Sequence, residues 1–306
     1  MRAADQTATP AAGLPAGMPA AGARFGRRGP VALLARMVRR RRIVAVGLVL
    51  LLVVLGAALL APQLAPYDPI ALDVPARLAA PGHAHPFGTD EFGRDILSRT
   101  LYGARLSLAV GALVTALATT AGIAVGLIAG TNRRADRLLM RVMDGLMAFP
   151  DILLAIALMA SLGPSARNVV IALGFVYTPR IARIVRASVL VVASQEYVEA
   201  ARALGAPVAR ILLRHILVNT ASPVIVQATF ITAYAMLGEA ALSFLGVGIP
   251  PQIPTWGGII SEGQVYLRQA WWISIFPGAA IVLSVLSLNL LGDGLRDYLD
   301  PRLRYS

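Results

Sequence analysis

Two stretches of this chain, 43–61 and 106–130, are long, apolar and free of charged residues. Each is about as long as the roughly 20 residues that a helix needs to cross the hydrocarbon core of a bilayer. Because a backbone inside a bilayer must satisfy its own hydrogen bonds, only helices and closed barrels can span it. The composition agrees, since 57% of the residues are hydrophobic and 14% are charged, whereas a soluble domain is about 45–50% apolar and a quarter charged. The sequence predicts an all-α integral membrane protein.

Six membrane spans are predicted in all. The other four lie at about 138–162, from 168 past Pro179, at 223–247 and at 271–291. The third span carries Asp144 and Asp151, which should face the bundle or lie near an interface because lipid tolerates carboxylates poorly. The fourth span is the weakest, because arginines at positions 180, 183 and 186 follow closely on Pro179. It is expected to leave the bilayer near these arginines, whose side chains snorkel towards water.

The arginines indicate how the chain lies across the membrane. With the N-terminus inside, all but six of the 28 basic residues fall in cytoplasmic segments, as the positive-inside rule requires. The six outer ones are Arg77, Arg94, Arg99, Arg105, Arg167 and Arg268. Both termini are therefore expected in the cytoplasm, with 1–30, rich in Ala, Gly and Pro, as a disordered tail. The segment 43–61 starts too late and is too long for a cleaved signal peptide, so an uncleaved span is favoured.

A polar island interrupts the apolar pattern between the fourth and fifth spans. Its first half predicts a short helix that Ser194 could cap and that Gly205, in a left-handed conformation, would end. Pro207 can then stand in the first turn of a second helix. Five residues recur at helical spacing and would lie on one face of that helix: Val208, Ile211, Leu212, His215 and Ile216. The segment predicts a helical hairpin on the cytoplasmic side that runs back towards the membrane.

Four residues of this hairpin, Glu199, Ala200, Ala201 and Gly205, resemble the EAA loop of ABC importer permeases. In that family the loop, at about 191–220 here, is the cytoplasmic segment that docks on a separate ATPase. The resemblance implies that these four residues couple the ATPase to transport. The alternative is an amphipathic hairpin that has no special partner.

Three further motifs carry a more specific resemblance. They are HPFGTDEFGRD from His85 to Asp95, EAALSFLG from Glu239 to Gly246, and GDGLRD from Gly292 to Asp297. All three are similar to the C-type permeases of dipeptide, oligopeptide and nickel importers. The chain is identified as a member of that family, and this implies the type I ABC importer permease fold with six transmembrane helices.

The resemblance also implies a division of the chain and a set of partners. The expected division is a tail at 1–30, an N-terminal helix and first outer loop at 31–103, a transmembrane domain at 104–293 and a cytoplasmic tail at 294–306. The implied partners in the inner (cytoplasmic) membrane are a second homologous permease of B type, forming a heterodimer, two ATPase subunits, an extracytoplasmic substrate-binding protein and membrane lipid. The implied cargo is a dipeptide, an oligopeptide or a related solute such as nickel, moved by ATP-driven alternating access.

Several chemistries are excluded by residues that the chain lacks. Without lysine it cannot form the phosphate-binding loop of an ATPase, and without cysteine it has no thiol nucleophile or cysteine-held metal. We expect a non-catalytic subunit with no cofactor, and no nucleic-acid partner despite the basic net charge. His83 and His85 could together reach one metal ion, but a solvated loop without a metal is the favoured interpretation.

Two acidic residues keep other mechanisms open. Asp144 and Glu239 could line a pathway, or could couple a secondary transporter to ions. For Glu239, structural hydrogen bonding inside the bundle is the alternative to pathway lining. An ABC permease subunit is the main prediction, and a secondary transporter and a membrane scaffold are the alternatives.

Overall fold

The structure, a computed structural model, describes residues 42–299. Within this range helices are joined by loops, and the one isolated strand-like pairing joins Thr89 and Asp95. The α-helices are α1 (Arg42–Leu59), α2 (Ala61–Leu64), α3 (Ile96–Thr131), α4 (Arg133–Met147), α5 (Asp151–Leu162), α6 (Ala166–Ala193), α7 (Glu196–Ala203), α8 (Val208–Ile211), α9 (Leu217–Phe244), α10 (Trp256–Gly263) and α11 (Trp272–Leu299). The predictions for 1–30, for the arginines before Arg42 and for 300–306 lie outside the described residues.

Five helical segments are long and apolar enough to cross a membrane, or six if α4 and α5 together form one bent span. They are α1, α3, α6, the continuous stretch Val208–Phe244 and Trp272–Tyr298. The prediction of an all-α polytopic membrane protein is confirmed. The last span begins at the predicted tryptophans and continues as helix beyond position 293 to Leu299.

The third predicted span, 138–162, is not a single helix. It is broken after Met147, and α4 and α5 meet at an angle of 95°. Pro150 lies at the break, directly before α5, and a proline disfavours helical geometry in the residue that precedes it. The 12 residues of α5 extend only about 18 Å, short of the roughly 30 Å hydrocarbon core. The predicted third span is therefore a bent pair of helices whose polar first half is a separate amphipathic helix, and the count reaches six only if the pair crosses the membrane together.

The fourth predicted span is the most buried of the candidate spans, although the sequence made it the weakest. Helix α6 runs through Pro179 without ending. Its three arginines pair with carboxylates of α4 and α5: Arg180 with Asp151, Arg183 with Asp144 and Arg186 with Asp136. The helix continues towards the hairpin as predicted, and these arginines have carboxylate partners that the snorkelling interpretation did not include. The acidic partners lie about 30 to 50 positions away in sequence, so the sequence pattern of α6 alone could not identify them.

Glycines allow α3 and α6 to approach closely. A Cβ atom built on Gly122, Gly126 or Gly130 would lie 2.5 to 2.6 Å from a side-chain atom of α6. The atoms met are the Cβ atoms of Ile181, Val185 and Val189. Small residues at four-residue spacing let helix backbones pack closely in membranes. This confirms the prediction that these glycines face a neighbouring helix.

Candidate functional site

The predicted hairpin lies between α6 and α9. Helix α7 contains Glu199, Ala200 and Ala201, and Gly205 follows its end. Glu199, Ala200 and Gly205 are exposed, and Ala201 is half-buried. The structure thus brings the four residues of the predicted motif together on one short surface segment.

The spacing of the motif has a physical cause in how α7 ends. The backbone N–H of Ala206 donates to the carbonyl of Ala201 at 3.0 Å, and that of Gly205 donates to the carbonyl of Arg202 at 2.9 Å. These two bonds make a Schellman motif, which requires a left-handed residue one position past the helix cap. Gly205 has a φ of +74°, a conformation that costs glycine little. The predicted left-handed glycine is therefore confirmed.

The start of α7 differs from the prediction. Ser194 ends α6, and its hydroxyl donates to the carbonyl of Val191 at 3.0 Å. Gln195 occupies the N-cap position of α7 without a side-chain cap bond. The acidic Glu196 and Glu199 lie in the first turn, where they interact favourably with the positive end of the helix dipole. The prediction that Ser194 caps this helix was wrong, because α6 extends further than the sequence pattern indicated.

One buried side chain anchors the hairpin to the bundle. Val198 is fully buried and belongs to the same apolar cluster as Ile211 and Ile216 of the second arm. On the surface, the ring of Tyr197 lies 5.9 Å from that of His215. Asn219 donates to the Tyr197 hydroxyl at 3.2 Å. The two arms are thus held together, and the face that carries Glu199 is left open.

The second arm contains a feature that sequence reasoning missed. Between α8 and α9 the chain forms one π-helical turn, Leu212–Ile216, and then continues as α9. Such turns are rare and often occur at functional positions. No sequence signal predicts it, because the apolar spacing of this arm suits an ordinary α-helix.

Leu204 is another feature of the hairpin that sequence reasoning missed. Its side chain is 88% exposed, although it directly precedes Gly205 at the tip of the hairpin. The tip of the hairpin therefore carries an exposed apolar side chain directly beside the predicted motif. The sequence signal that could have found it is its position, because an apolar residue directly before the glycine that ends a surface helix is difficult to bury.

The two acidic residues singled out in the sequence lie in different surroundings. Glu239 is completely buried, and its carboxylate accepts hydrogen bonds from Ser107 at 3.1 Å and Ser243 at 2.9 Å. Asp144 is exposed on α4 and pairs with Arg183 at 2.7 Å. The geometry of Glu239 is that of a hydrogen-bonding centre between α3 and α9. The structure does not bring Asp144 and Glu239 together.

The motif from His85 to Asp95 builds a buried charge cluster, defined here as Asp90, Arg94, Arg99 and Glu262. The Asp90 carboxylate accepts from both arginines at 2.6 Å. Glu262 of α10 also pairs with both arginines, at 2.9 Å. Arg99 and Asp90 are almost fully buried. The cluster therefore joins the loop before α3, and α3 itself, to α10, although Glu262 lies 168 positions away from Arg94.

Burial perturbs the acids of this region. Desolvation raises the pKa of Glu262 above its ordinary value, while the charges of Arg99 and Arg94 act in the opposite direction. Desolvation, and then the negative charges of Glu262 and Asp90, raise the pKa of the adjacent Glu91. Both shifts favour the neutral carboxyl, as expected where acids are crowded and shielded from water.

His85 also contributes to this loop. Its Nδ1 atom lies 3.0 Å from Asp95, and the other oxygen of Asp95 caps α3 by accepting from the Ser98 backbone at 2.7 Å. His85 is therefore tied to the start of α3. Among the described residues, no group of three His, Cys, Asp or Glu side chains has the geometry to hold a metal ion.

Comparison with protein families gives two matches. Residues 122–305 match the family described as binding-protein-dependent transport system inner membrane component. Residues 30–81 match the N-terminal transmembrane domain of oligopeptide transport permease C. The first match covers the hairpin and the second covers the first span.

Curated relatives align along most of the chain. A protein of Brucella suis, named provisionally as a peptide transport system permease, is 54% identical over 90% of this chain and 94% of its own length. The di/tripeptide transport system permease of Pseudomonas aeruginosa is 44% identical over 84% of this chain and 88% of its own length. The dipeptide transport system permease of Escherichia coli is 45% identical, with coverages of 87% and 91%.

A solved structure shares the fold. The crystal structure of an amino acid ABC transporter with histidines superposes with a TM-score of 0.52. The match covers 66% of this chain and 94% of that chain at 15% sequence identity. At this identity the likeness concerns the fold alone.

Proposed function

The chain belongs to the binding-protein-dependent transport system inner membrane component family, as a multi-pass permease subunit of an ABC importer, and we propose that its cargo is a di- or oligopeptide. The relatives named for dipeptide and di/tripeptide transport support this cargo, because they align over more than four fifths of the chain. A related small solute such as nickel is the second candidate cargo, on the resemblance of the outer motif alone.

Energy enters through the hairpin. The observation that carries this proposal is the exposed surface of Glu199, Ala200 and Gly205 beside Leu204. Val198 fixes this surface to the bundle, so a force on the hairpin reaches α6 and α9. A partner ATPase that binds here can move the spans between inward-facing and outward-facing arrangements.

The chain forms one half of the translocation pathway. A second permease, of B type, supplies the other half of the pathway, two ATPase subunits bind the hairpins, and a substrate-binding protein delivers cargo from outside. ATP hydrolysis belongs to the ATPase subunits, because a chain without lysine cannot form their phosphate-binding loop. Both termini and the hairpin lie in the cytoplasm, as the arginine distribution favours.

Uptake by proteoliposomes tests this function. Vesicles that contain the chain, a B-type permease and the ATPases should accumulate a labelled dipeptide when ATP is inside and the binding protein outside. Omission of the ATPases should abolish uptake. Transport of labelled Ni²⁺ in place of the dipeptide would assign the second cargo, and transport of neither would contradict both assignments.

A matched pair of charge reversals tests the coupling surface. Glu199→Lys should reduce uptake and substrate-stimulated ATP hydrolysis to background, because it reverses the charge on the proposed docking face. Glu196→Lys makes the same change in the same first turn of α7 and is also exposed. It should keep the wild-type rate. Equal rates for both variants and the wild type would mean that the hairpin does not couple the ATPase to transport.

A further inference from the structure

An apolar groove lies between the first half of α3 and the first two turns of α6. It encloses about 370 Å³, within the size range of small-molecule pockets, about 300–1,000 Å³. Leu106, Ala109 and Leu113 line it from α3, and Arg167, Val170 and Ile171 line it from α6. Leu113 and Ile171 are exposed, so the groove opens at the surface of the chain. Arg167 is its one charged lining residue.

The packing of α3 against α6 forms the floor of the groove. Close approach includes Gly174, where an added Cβ would meet Leu117 at 2.5 Å. Nearer the start of α6 the two helices stay in contact, because Val110 of α3 and Val169 of α6 are buried in one apolar cluster. The side chains of Leu113 and Ile171 remain exposed and form the open side of the groove.

Arg167 stands at the end of α6 that is opposite to the hairpin. Its side chain is exposed, and it makes no hydrogen bond or ion pair with another of the residues described. The start of α6 that carries it is tied to the end of α5, because the Asn168 side chain donates to the carbonyls of Leu162 at 2.7 Å and Gly163 at 3.0 Å. An arginine at this outer end runs against the positive-inside rule. A local anion would account for its presence there.

We propose that this groove binds one anionic phospholipid, with an acyl chain along the apolar wall and the phosphate on Arg167. A guanidinium offers several donors to a phosphate. The first turn of α6 adds its positive dipole end on the same side. The volume accommodates part of one acyl chain, so the rest of the lipid extends into the bilayer. The binding does not depend on which cargo the importer carries.

Native mass spectrometry of the whole complex in nanodiscs tests the lipid site. The nanodiscs contain phosphatidylethanolamine with or without phosphatidylglycerol. The wild type should retain one phosphatidylglycerol that Arg167→Gln retains about fivefold less well, the factor that one basic residue contributes near an anionic surface. Arg167→Lys should keep most of the binding. Arg268→Gln, which removes another exposed outer arginine, should leave retention unchanged.

The apolar wall is tested separately. Ala109→Trp fills the groove and should displace the lipid, whereas Ala112→Trp, at an exposed position outside the groove, should not. Equal retention by wild type and Arg167→Gln, or equal retention of phosphatidylethanolamine, would overturn the proposal.

A cross-linking experiment identifies what covers the groove. Because the chain has no cysteine, Leu113→Cys places a single photoactivatable label in the wall. Cross-links to lipid support the site. Cross-links to the second permease in place of lipid would assign the groove to the interface between subunits and overturn the proposal.

Discussion

Gly205 is the residue on whose backbone conformation the proposed coupling hairpin depends most. Its φ of +74° is unfavourable for a side chain branched at Cβ, and no atom lies within 4 Å of an added Cβ. Gly205→Val therefore introduces backbone strain without a clash. The strain, about 1–3 kcal/mol, is comparable with the roughly 1–3 kcal/mol that typically links distant sites. We expect uptake to fall to background while membrane abundance stays normal.

Gly163 provides the control for that substitution. It has a φ of +81° and equally open surroundings, but it lies at the opposite end of the bundle. Gly163→Val should carry at least as much strain, because the ψ of 161° at Gly163 lies in a region that only glycine readily occupies, and should still transport. If both variants lose uptake together, backbone strain in general is responsible and the hairpin has no special role.

Glu262 is the residue of α10 that completes the buried charge cluster. Glu262→Gln removes the second carboxylate that Arg94 and Arg99 share. Loss of one partner from a buried ion pair typically costs about 3–5 kcal/mol, and the cost here is smaller because Asp90 remains. We expect a clear fall in the melting temperature of the purified complex. Glu196→Gln, on the exposed face of α7, should change stability by less than about 0.5 kcal/mol; a similar effect of both would show that the cluster contributes nothing.

At the level of whole helices, the contact between α3 and α6 depends on glycine. Gly126→Leu would place a large side chain where even a Cβ would lie 2.6 Å from Val185. Overpacking typically costs about 1–3 kcal/mol, so the melting temperature and the yield of folded protein should fall. Gly56→Leu is the matched change on α1, where no atom lies within 4 Å of an added Cβ. A stable, normally abundant Gly126→Leu variant would contradict the observed packing.

The ion pairs between α6 and the two helices α4 and α5 contribute less to stability than the glycine contact between α3 and α6. Arg183 and Asp144 are both more than half exposed, and exposed pairs contribute about 0–1 kcal/mol each. Their effect is mainly on position, since three arginines spaced three residues apart fix how α4 and α5 lie along α6. Helix α6, which leads into the hairpin, is thereby tied to α4 and α5.

For the whole molecule, the sidedness of the chain is the property to test. A reporter that works only outside the cytoplasm should be active when fused after Leu78 or Gln264. It should be inactive after Arg134, Ala206 or Ser306. The reason is the concentration of arginines in the segments assigned to the inside. An active fusion after Ala206 would place the hairpin on the wrong side of the membrane and contradict the coupling proposal.

The sequence alone determined the features that depend on local chemistry. Apolar length predicted the spans, because crossing a bilayer requires about 20 residues in a row. The left-handed Gly205 and the hairpin were predictable, because a Schellman motif involves only residues from Ala201 to Ala206. The family signature in Glu199, Ala200, Ala201 and Gly205 is likewise contained in one short segment.

Only the tertiary structure decided the features that join distant parts of the chain. The partners of the α6 arginines and the surroundings of Glu239 depend on residues many positions apart. The groove beside Arg167 likewise depends on side chains that two separate helices, α3 and α6, bring together. A hydropathy pattern records which residues avoid water. It does not record which helices meet, because that depends on how side chains from separate segments fit together.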